Sequence, residues 1–254
     1  MSAIVKAMKA EWLNPLIDAI YPPKCRLCGG LTGNDLACEE HALPNGLTGP
    51  RCDRCAANLP PAIKAETRCA ACRRKRPNFR RVVALGDYEQ GALREWLLAL
   101  KHGHRKDLAI PLGAYLGELL MRSGGTSEDI LVPVPLHPMR RYERGYDQAR
   151  ALAEATARAA GLDVEPVLKR TRATVPQGTA GAVSRASNVR SAFAIKSGAN
   201  IRIANRRVWL LDDVLTSGAT AGECTRELRR CGAETVGVLV VARAGESKVE
   251  PTGG

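Results

Sequence analysis

The segment Val208-Trp-Leu-Leu-Asp-Asp-Val-Leu-Thr-Ser-Gly-Ala-Thr220 constrains the fold more than any other part of the chain. Val208 to Leu211 is an apolar run that reads as a buried strand. Two adjacent carboxylates follow, Asp212 and Asp213. A loop of small and hydroxyl residues, Thr216, Ser217, Gly218, Ala219 and Thr220, then opens into a helical pattern. A buried strand feeding a small-residue loop at a helix start builds an anion site. Glycine lets the backbone approach the ligand, and free N–H groups and the helix dipole point at it. Thr216, Ser217 and Thr220 add hydroxyl donors. The paired acids would repel a phosphate. They suit the hydroxyls of a sugar, or a metal ion bridging it.

The rest of the chain from about residue 81 alternates strand-like and helix-like segments. Strands are expected at Arg81–Leu85, Ile130–Val134, Val164–Leu168, Val208–Leu211 and Val236–Ala242. Helices are expected at Gly91–Lys101, Asp107–Met121, Asp147–Ala160 and Ala219–Arg230. This alternation predicts an α/β fold with a parallel sheet flanked by helices. Ligands then bind beyond the carboxyl ends of the strands, where Asp212, the Thr216–Thr220 loop and the segment Val132-Pro-Val-Pro-Leu-His137 lie.

Ahead of this domain stands a cysteine series. Cys25 and Cys28, Cys38 and His41, Cys52 and Cys55, and Cys69 and Cys72 form paired knuckles with two residues between partners. Four such pairs supply two tetrahedral zinc shells. Sequential pairing gives Cys25, Cys28, Cys38 and His41 for one ion and Cys52, Cys55, Cys69 and Cys72 for the other. A cross-braced pairing of first knuckle with third is left open by the spacing, but the short gaps fit hairpin-sized ribbons and favour the sequential scheme. A disulfide framework is the alternative. It is disfavoured because no export signal is read and cytosolic thiols stay reduced. A fully ligated zinc has no open position, so both sites are structural. Cys224 and Cys231 fall on the helix after the acid pair, where they are expected to pack.

The 254 residues suffice for one sizeable domain and a small one, and 45% apolar and 25% charged residues are those of a globular protein. No apolar run of about 18 residues is present, so no membrane span is expected. Residues 1–21 mix Lys6, Lys9, Glu11 and Asp18 with Leu13, Leu16, Ile17 and Ile20 at helical spacing. They read as an amphipathic helix rather than a signal peptide, and the expected location is cytoplasmic. The formal net charge is +12. Two thiolate zinc sites would lower it and leave it basic, a surface that attracts phosphates in general. Arg73, Arg74, Lys75 and Arg76 form a basic connector ahead of Phe79. It reads as a solvated linker or as a nucleic-acid patch.

Arginines cluster twice more, at Arg140, Arg141 and Arg144 and from Arg170 to Arg190. The second stretch is long and without periodicity, as lids often are. Together these segments resemble the ComF/GntX family, the competence-protein-F-like phosphoribosyltransferases, from Pro22 to Ala242. The resemblance is carried by the cysteine series and by Pro133-Val-Pro-Leu-His137 with Arg144, Gly145 and Gln148. It continues in Arg170-Thr-Arg-Ala-Thr174 with Pro176, Gln177, Arg185 and Asn188, and in the Asp212–Thr220 segment. That last segment is similar to the ribose motif of type I phosphoribosyltransferases, which bind 5-phosphoribosyl-1-pyrophosphate (PRPP). The family often has Gly-Phe-Asn-Gln where this chain has Gly145-Tyr-Asp-Gln148, and His41 stands where a cysteine is usual. The role of Asp147 is thereby left open.

The resemblance implies a type I phosphoribosyltransferase-like sheet at 77–254 and a double zinc-ribbon at 22–76, following the amphipathic helix read from the residue spacing at 1–21. It implies that Asp212 and Asp213 are the catalytic pair at the ribose hydroxyls. Thr216, Ser217, Gly218, Ala219 and Thr220 would hold the 5-phosphate, Val134 and Pro135 would form the pyrophosphate loop, and Arg170–Arg190 would be a lid. Arg144, with Arg140, Arg141 and Lys101, is a cation for pyrophosphate, which Mg²⁺ would accompany. The implied function is transfer of a phosphoribosyl group to an acceptor the sequence does not name. Nothing marks a glutaminase, since no cysteine follows Met1. Two other readings stand beside it: a competence factor that binds single-stranded DNA with DNA-uptake partners, and a regulator that senses PRPP without turnover.

Overall fold

The computed structural model describes residues 22–32, 36–62, 67–171 and 191–245, without the side chains of Pro138, Arg140 and Asn200. The expected helix at 1–21 and most of the expected lid, 172–190, lie outside the described residues.

A five-stranded sheet organises the chain, in the order β1-β7-β6-β2-β3, with every neighbouring pair parallel. Its strands are β1 (Val82–Asp87), β2 (Ile130–Pro133), β3 (Asp163–Val164), β6 (Arg207–Leu215) and β7 (Thr235–Arg243). A separate antiparallel ribbon joins β4 (Leu168–Arg170) to β5 (Phe193–Ile195). The expected strand Val164–Leu168 is thus two short strands. Pro166 lies between them and has no N–H for a ladder.

The central strands are apolar on both faces because both are covered. Along β6, Val208 and Leu210 join one core with Val132, Val238, Val240 and Cys224. Trp209 and Leu211 join the other, with Leu85, Leu131, Leu239 and Val241. The second core is closed by helices α2 (Leu93–His102), α3 (Ala109–Arg122) and α5 (Gln148–Ala160). α6 (Ala219–Arg230) and the β4–β5 ribbon cover the first. Helices α3 and α5 approach closely through Gly113. A Cβ there would sit 2.4 Å from the Ala155 Cβ and 2.7 Å from the Thr156 amide nitrogen.

The cysteine segment is fastened to the domain rather than tethered beside it. Cys25, Ala37 and Leu43 belong to the same core as Trp96, Leu97 and Leu119. The Trp96 indole N–H donates to His41 O at 2.9 Å. Arg51 donates two hydrogen bonds to the Asp87 carboxylate, at 2.9 and 2.6 Å. The short helix α1 (Ala70–Arg74) carries Cys72 and leads into the connector.

Candidate functional site

The strand order reverses between β2 and β6. From β2 the chain continues outward to β3, whereas β6 is followed by β7 and bordered beyond it by β1. Such a switch point leaves a crevice at the carboxyl ends of the strands. The acid pair and the Val134–His137 loop fall there. A cavity of about 170 Å³ opens between them, lined by Lys101, Val134, Pro135, Arg144, Arg170, Asp212, Asp213 and Thr220 among others.

The acids lie within β6 rather than after it, a correction to the expected strand end at Leu211. Parallel pairing with β7 runs on through Asp212↔Val240 to Leu215↔Arg243. Consecutive strand residues point to opposite faces, and the two acids have different surroundings. Asp213 is buried and accepts from Lys101 Nζ at 3.2 Å and from Gln148 Nε2 at 3.2 Å, contacts from α2 and α5. Asp212 accepts the Asp213 backbone N–H at 2.9 Å. On its side lies Cys224 of α6, whose thiol is raised first by burial and then by the Asp212 charge. Burial, with the Asp213 charge beside it, pushes the Asp212 carboxyl up to about 8. At neutral pH Asp212 is thereby biased toward its protonated form, beside the contact of Asp213 with Lys101.

The loop after β6 leads into α6 through Gly218, whose φ of 75° is left-handed, a conformation that favours glycine. Ser217 Oγ accepts from the Ala219 N–H at 3.4 Å. Thr216 and Ser217 are exposed, and Gly218, Ala219 and Thr220 are half-buried. The first-turn N–H groups of α6 have no partners within the helix and face this loop. Phe79 packs beneath it: a Cβ on Gly218 would meet the Phe79 ring at 3.6 Å. Phe79 is only 2% exposed. It is therefore not an aromatic platform for a nucleic-acid patch, while Arg73, Arg74, Lys75 and Arg76 are all exposed.

On the opposite wall, Val134 N–H donates to Leu211 O at 2.9 Å, fixing the loop after β2. Asp147 caps α5, accepting from Arg150 N–H at 3.1 Å, and also accepts from Leu136 N–H at 3.3 Å. Its role is to tie that loop to α5. The arginine cluster forms α4 (Pro138–Arg144), entered through a His137 side-chain cap and Pro138. Arg144 lines the cavity and Arg141 is exposed outside it. Arg170, read in the sequence as the start of a lid, stands on β4 with its guanidinium 5.3 Å from the Phe193 ring centroid and also lines the cavity. Gln148 stands out in the sequence only as part of a motif, and its bond to Asp213 has no periodic or compositional signal.

The eight sulfur and imidazole ligands gather into two groups, Cys25, Cys28, Cys38 and His41, and Cys52, Cys55, Cys69 and Cys72. Within each, the ligand atoms lie within 4.8 Å of one another. The pairing is sequential. Cys28 and Cys38 sulfurs are 3.8 Å apart and Cys55 and Cys69 sulfurs 3.7 Å apart. A tetrahedron with bonds of about 2.3 Å to sulfur has edges of roughly that length. His41 turns Nδ1 to Cys38 Sγ at 3.0 Å and Nε2 to Glu95 at 3.5 Å, the carboxylate backing typical of metal-bound histidine. Burial raises Cys25 and Cys52, but surrounding backbone N–H donors outweigh it and bring them to about 6 and about 7. Burial and neighbouring thiolates push Cys55 up to about 11 and Cys72 higher. Thiols crowded in this way ionise together only around a cation. Both groups can hold a metal ion, and the donor set fits zinc.

Parallel sheet, switch-point cavity and paired cysteine clusters together define an α/β protein whose N-terminal segment carries two groups of ligands able to hold metal ions. No family model matches the chain. Among curated proteins it is 30% identical over 233 residues to DNA utilization protein YhgH of Escherichia coli O6:H1, covering 87% of this chain and 97% of that protein. It is 28% identical over 218 residues to Competence protein F of Haemophilus influenzae, covering 80% of this chain and 93% of that protein. Among solved structures, the glutamine PRPP amidotransferase from B. subtilis aligns with 57% of this chain and 30% of its own, at 20% identity and a TM-score of 0.39. The chain belongs to the ComF/GntX family of competence-protein-F-like proteins.

Proposed function

We propose that this protein binds Mg²⁺–PRPP and transfers its phosphoribosyl group to a nucleophilic acceptor, releasing pyrophosphate. The observation that carries this reading is the pairing, across one cavity, of the Asp212–Asp213 edge of β6 with the cations Lys101, Arg144 and Arg170. The acids accept the ribose hydroxyls. Thr216, Ser217, Gly218, Ala219 and Thr220 hold the 5-phosphate with N–H and hydroxyl donors. Val134 and Pro135 present backbone to the pyrophosphate, and Arg144 neutralises it. As the acceptor bonds to ribose C1, the C1–O bond breaks and its electron pair leaves with pyrophosphate. Charge builds on pyrophosphate in that step, so preorganised cations lower the barrier and no covalent protein nucleophile is needed. Mg²⁺, when bound, would screen the same charge. Zinc in the two cysteine groups is structural, and the protein works in the cytoplasm. Isothermal titration with Mg²⁺–PRPP tests the site. The double variant Asp212→Asn, Asp213→Asn should lose binding with its melting transition retained, since each charge-assisted bond to a hydroxyl is worth about 1.5–3 kcal/mol. Unchanged affinity would refute the assignment.

A second reading, single-stranded DNA binding alongside DNA-uptake proteins, is favoured by the exposed run Arg73, Arg74, Lys75 and Arg76 and by the names of the relatives. Replacing all four with Ala should reduce the salt slope of binding by about 0.7 for each phosphate no longer neutralised and leave PRPP affinity intact. Absence of salt-sensitive DNA binding in the unaltered protein would dismiss this reading.

A further inference from the structure

We propose that Arg243 is a positioning residue for the loop after β6, and that through it the order of that loop depends on metal in the second cysteine cluster. Arg243 ends β7 and is half-buried. Its Nε donates to Cys55 O at 2.9 Å. Its Nη1 donates to Leu215 O at 3.0 Å and Thr216 O at 2.8 Å, and also to Ala244 O. Cys55 is a ligand of the second cluster, and Leu215 and Thr216 lead from β6 into the Thr216–Thr220 loop. A guanidinium is planar and rigid, so a carbonyl held on one edge fixes the carbonyls held on the other.

Two further links run in parallel. Arg54, between Cys52 and Cys55, donates to Pro77 O at 3.0 Å and so pins the connector. The next two connector residues touch the loop and its helix: Asn78 Nδ2 donates to Gly222 O at 3.2 Å, and Phe79 packs under Gly218. Metal binding closes the Cys52, Cys55, Cys69 and Cys72 group and thereby sets where the Cys55 carbonyl lies. Without it, the cluster end of the Arg243 fork is loose. The loop then loses support at its first residue, Thr216. No ligand contact by Arg243 is required. For the ligand arm of the test, the inference rests on reading the loop as a phosphate site.

The test uses full-length zinc-loaded protein, Arg243→Met and Arg243→Lys. Amide hydrogen exchange is followed across residues 214–222, with β2 and α5 as internal controls, before and after zinc removal by a chelator. Arg243→Met should speed exchange in 214–222 about tenfold, the scale of removing one supporting hydrogen bond, with the controls unchanged. Chelation should do the same to the unaltered protein and add little to Arg243→Met. Arg243→Lys, which keeps the charge but lacks the fork, should fall between. If the controls also quicken in Arg243→Met, that variant has lost its fold and Arg243→Lys is judged by the same criteria. Equal acceleration by chelation with and without Arg243, or no change at 214–222 in either variant, overturns the proposal. Titration with Mg²⁺–PRPP is the second arm, where Arg243→Met should bind about tenfold more weakly. If the unaltered protein does not bind Mg²⁺–PRPP, the transferase reading fails while the exchange result still decides the coupling.

Discussion

Replacing Asp212 with Asn should change how the ligand-free protein's stability depends on pH. The Asp212 carboxyl is pushed up to about 8 by burial and by the Asp213 charge. In the unfolded chain an aspartate titrates near 3.9, so about four pH units separate the two states. Within that window the folded protein holds a proton that the unfolded chain has released. Stability therefore falls as pH rises from the unfolded value through the folded one, and the penalty is absent below about pH 4. The limiting slope is about 1.4 kcal/mol per pH unit, so the penalty grows by about 2 kcal/mol between pH 6 and pH 8. Asn keeps the shape and does not titrate. Relative to the unaltered protein, Asp212→Asn should gain about 2 kcal/mol over that interval, on the order of 4–8 °C in Tm for a chain of this size. Thermal melts of zinc-loaded protein without Mg²⁺ or PRPP, at fixed ionic strength, give the comparison. Titration of the cysteine ligands is common to both proteins and cancels. Asp213→Asn is the control: it removes the Lys101 ion pair and should lower Tm at both pH values. A Tm difference between Asp212→Asn and the unaltered protein that stays constant from pH 6 to pH 8 would refute a half-buried, proton-holding Asp212.

Metal analysis of the purified chain should find close to two zinc ions, and His41→Ala should fall toward one after dialysis against a weak chelator; two firmly held ions in that variant would exclude His41 as a ligand. Gly113→Ala should destabilise by about 1–3 kcal/mol, because α3 and α5 must separate to admit the methyl group, and an unchanged Tm would contradict that close approach.

Much of this architecture is legible in the sequence where one periodicity is strong. The expected Ala219–Arg230 is helix α6 residue for residue, since an amphipathic pattern ends at Cys231-Gly232. The knuckle spacing carries the two metal groups, and the competition between pairing schemes is settled by folding. What the sequence conceals is long-range. The extension of β6 through the acids comes from pairing with β7, so local polarity marks a strand end that tertiary structure overrides. Burial of Phe79 is equally hidden, because one aromatic in a basic run gives no period. The three-residue strands β4 and β5 are too short to show alternation. Lys101, Gln148 and Asp213 lie on three separate elements, and only the switch point brings them together.

The shared core of Cys25, Leu43 and Trp96 has a consequence for biosynthesis. The cysteine segment leaves the ribosome before the partners it packs on. Trp96, which closes over His41, and Leu119 emerge only after all four knuckles have been made. During that interval the thiols are exposed and the apolar side of the module is uncovered, the condition in which nascent chains aggregate or oxidise. Zinc captured at that stage would shield the sulfurs until the sheet arrives. Yield of folded protein should accordingly track zinc supply during translation more closely than zinc added to the finished chain.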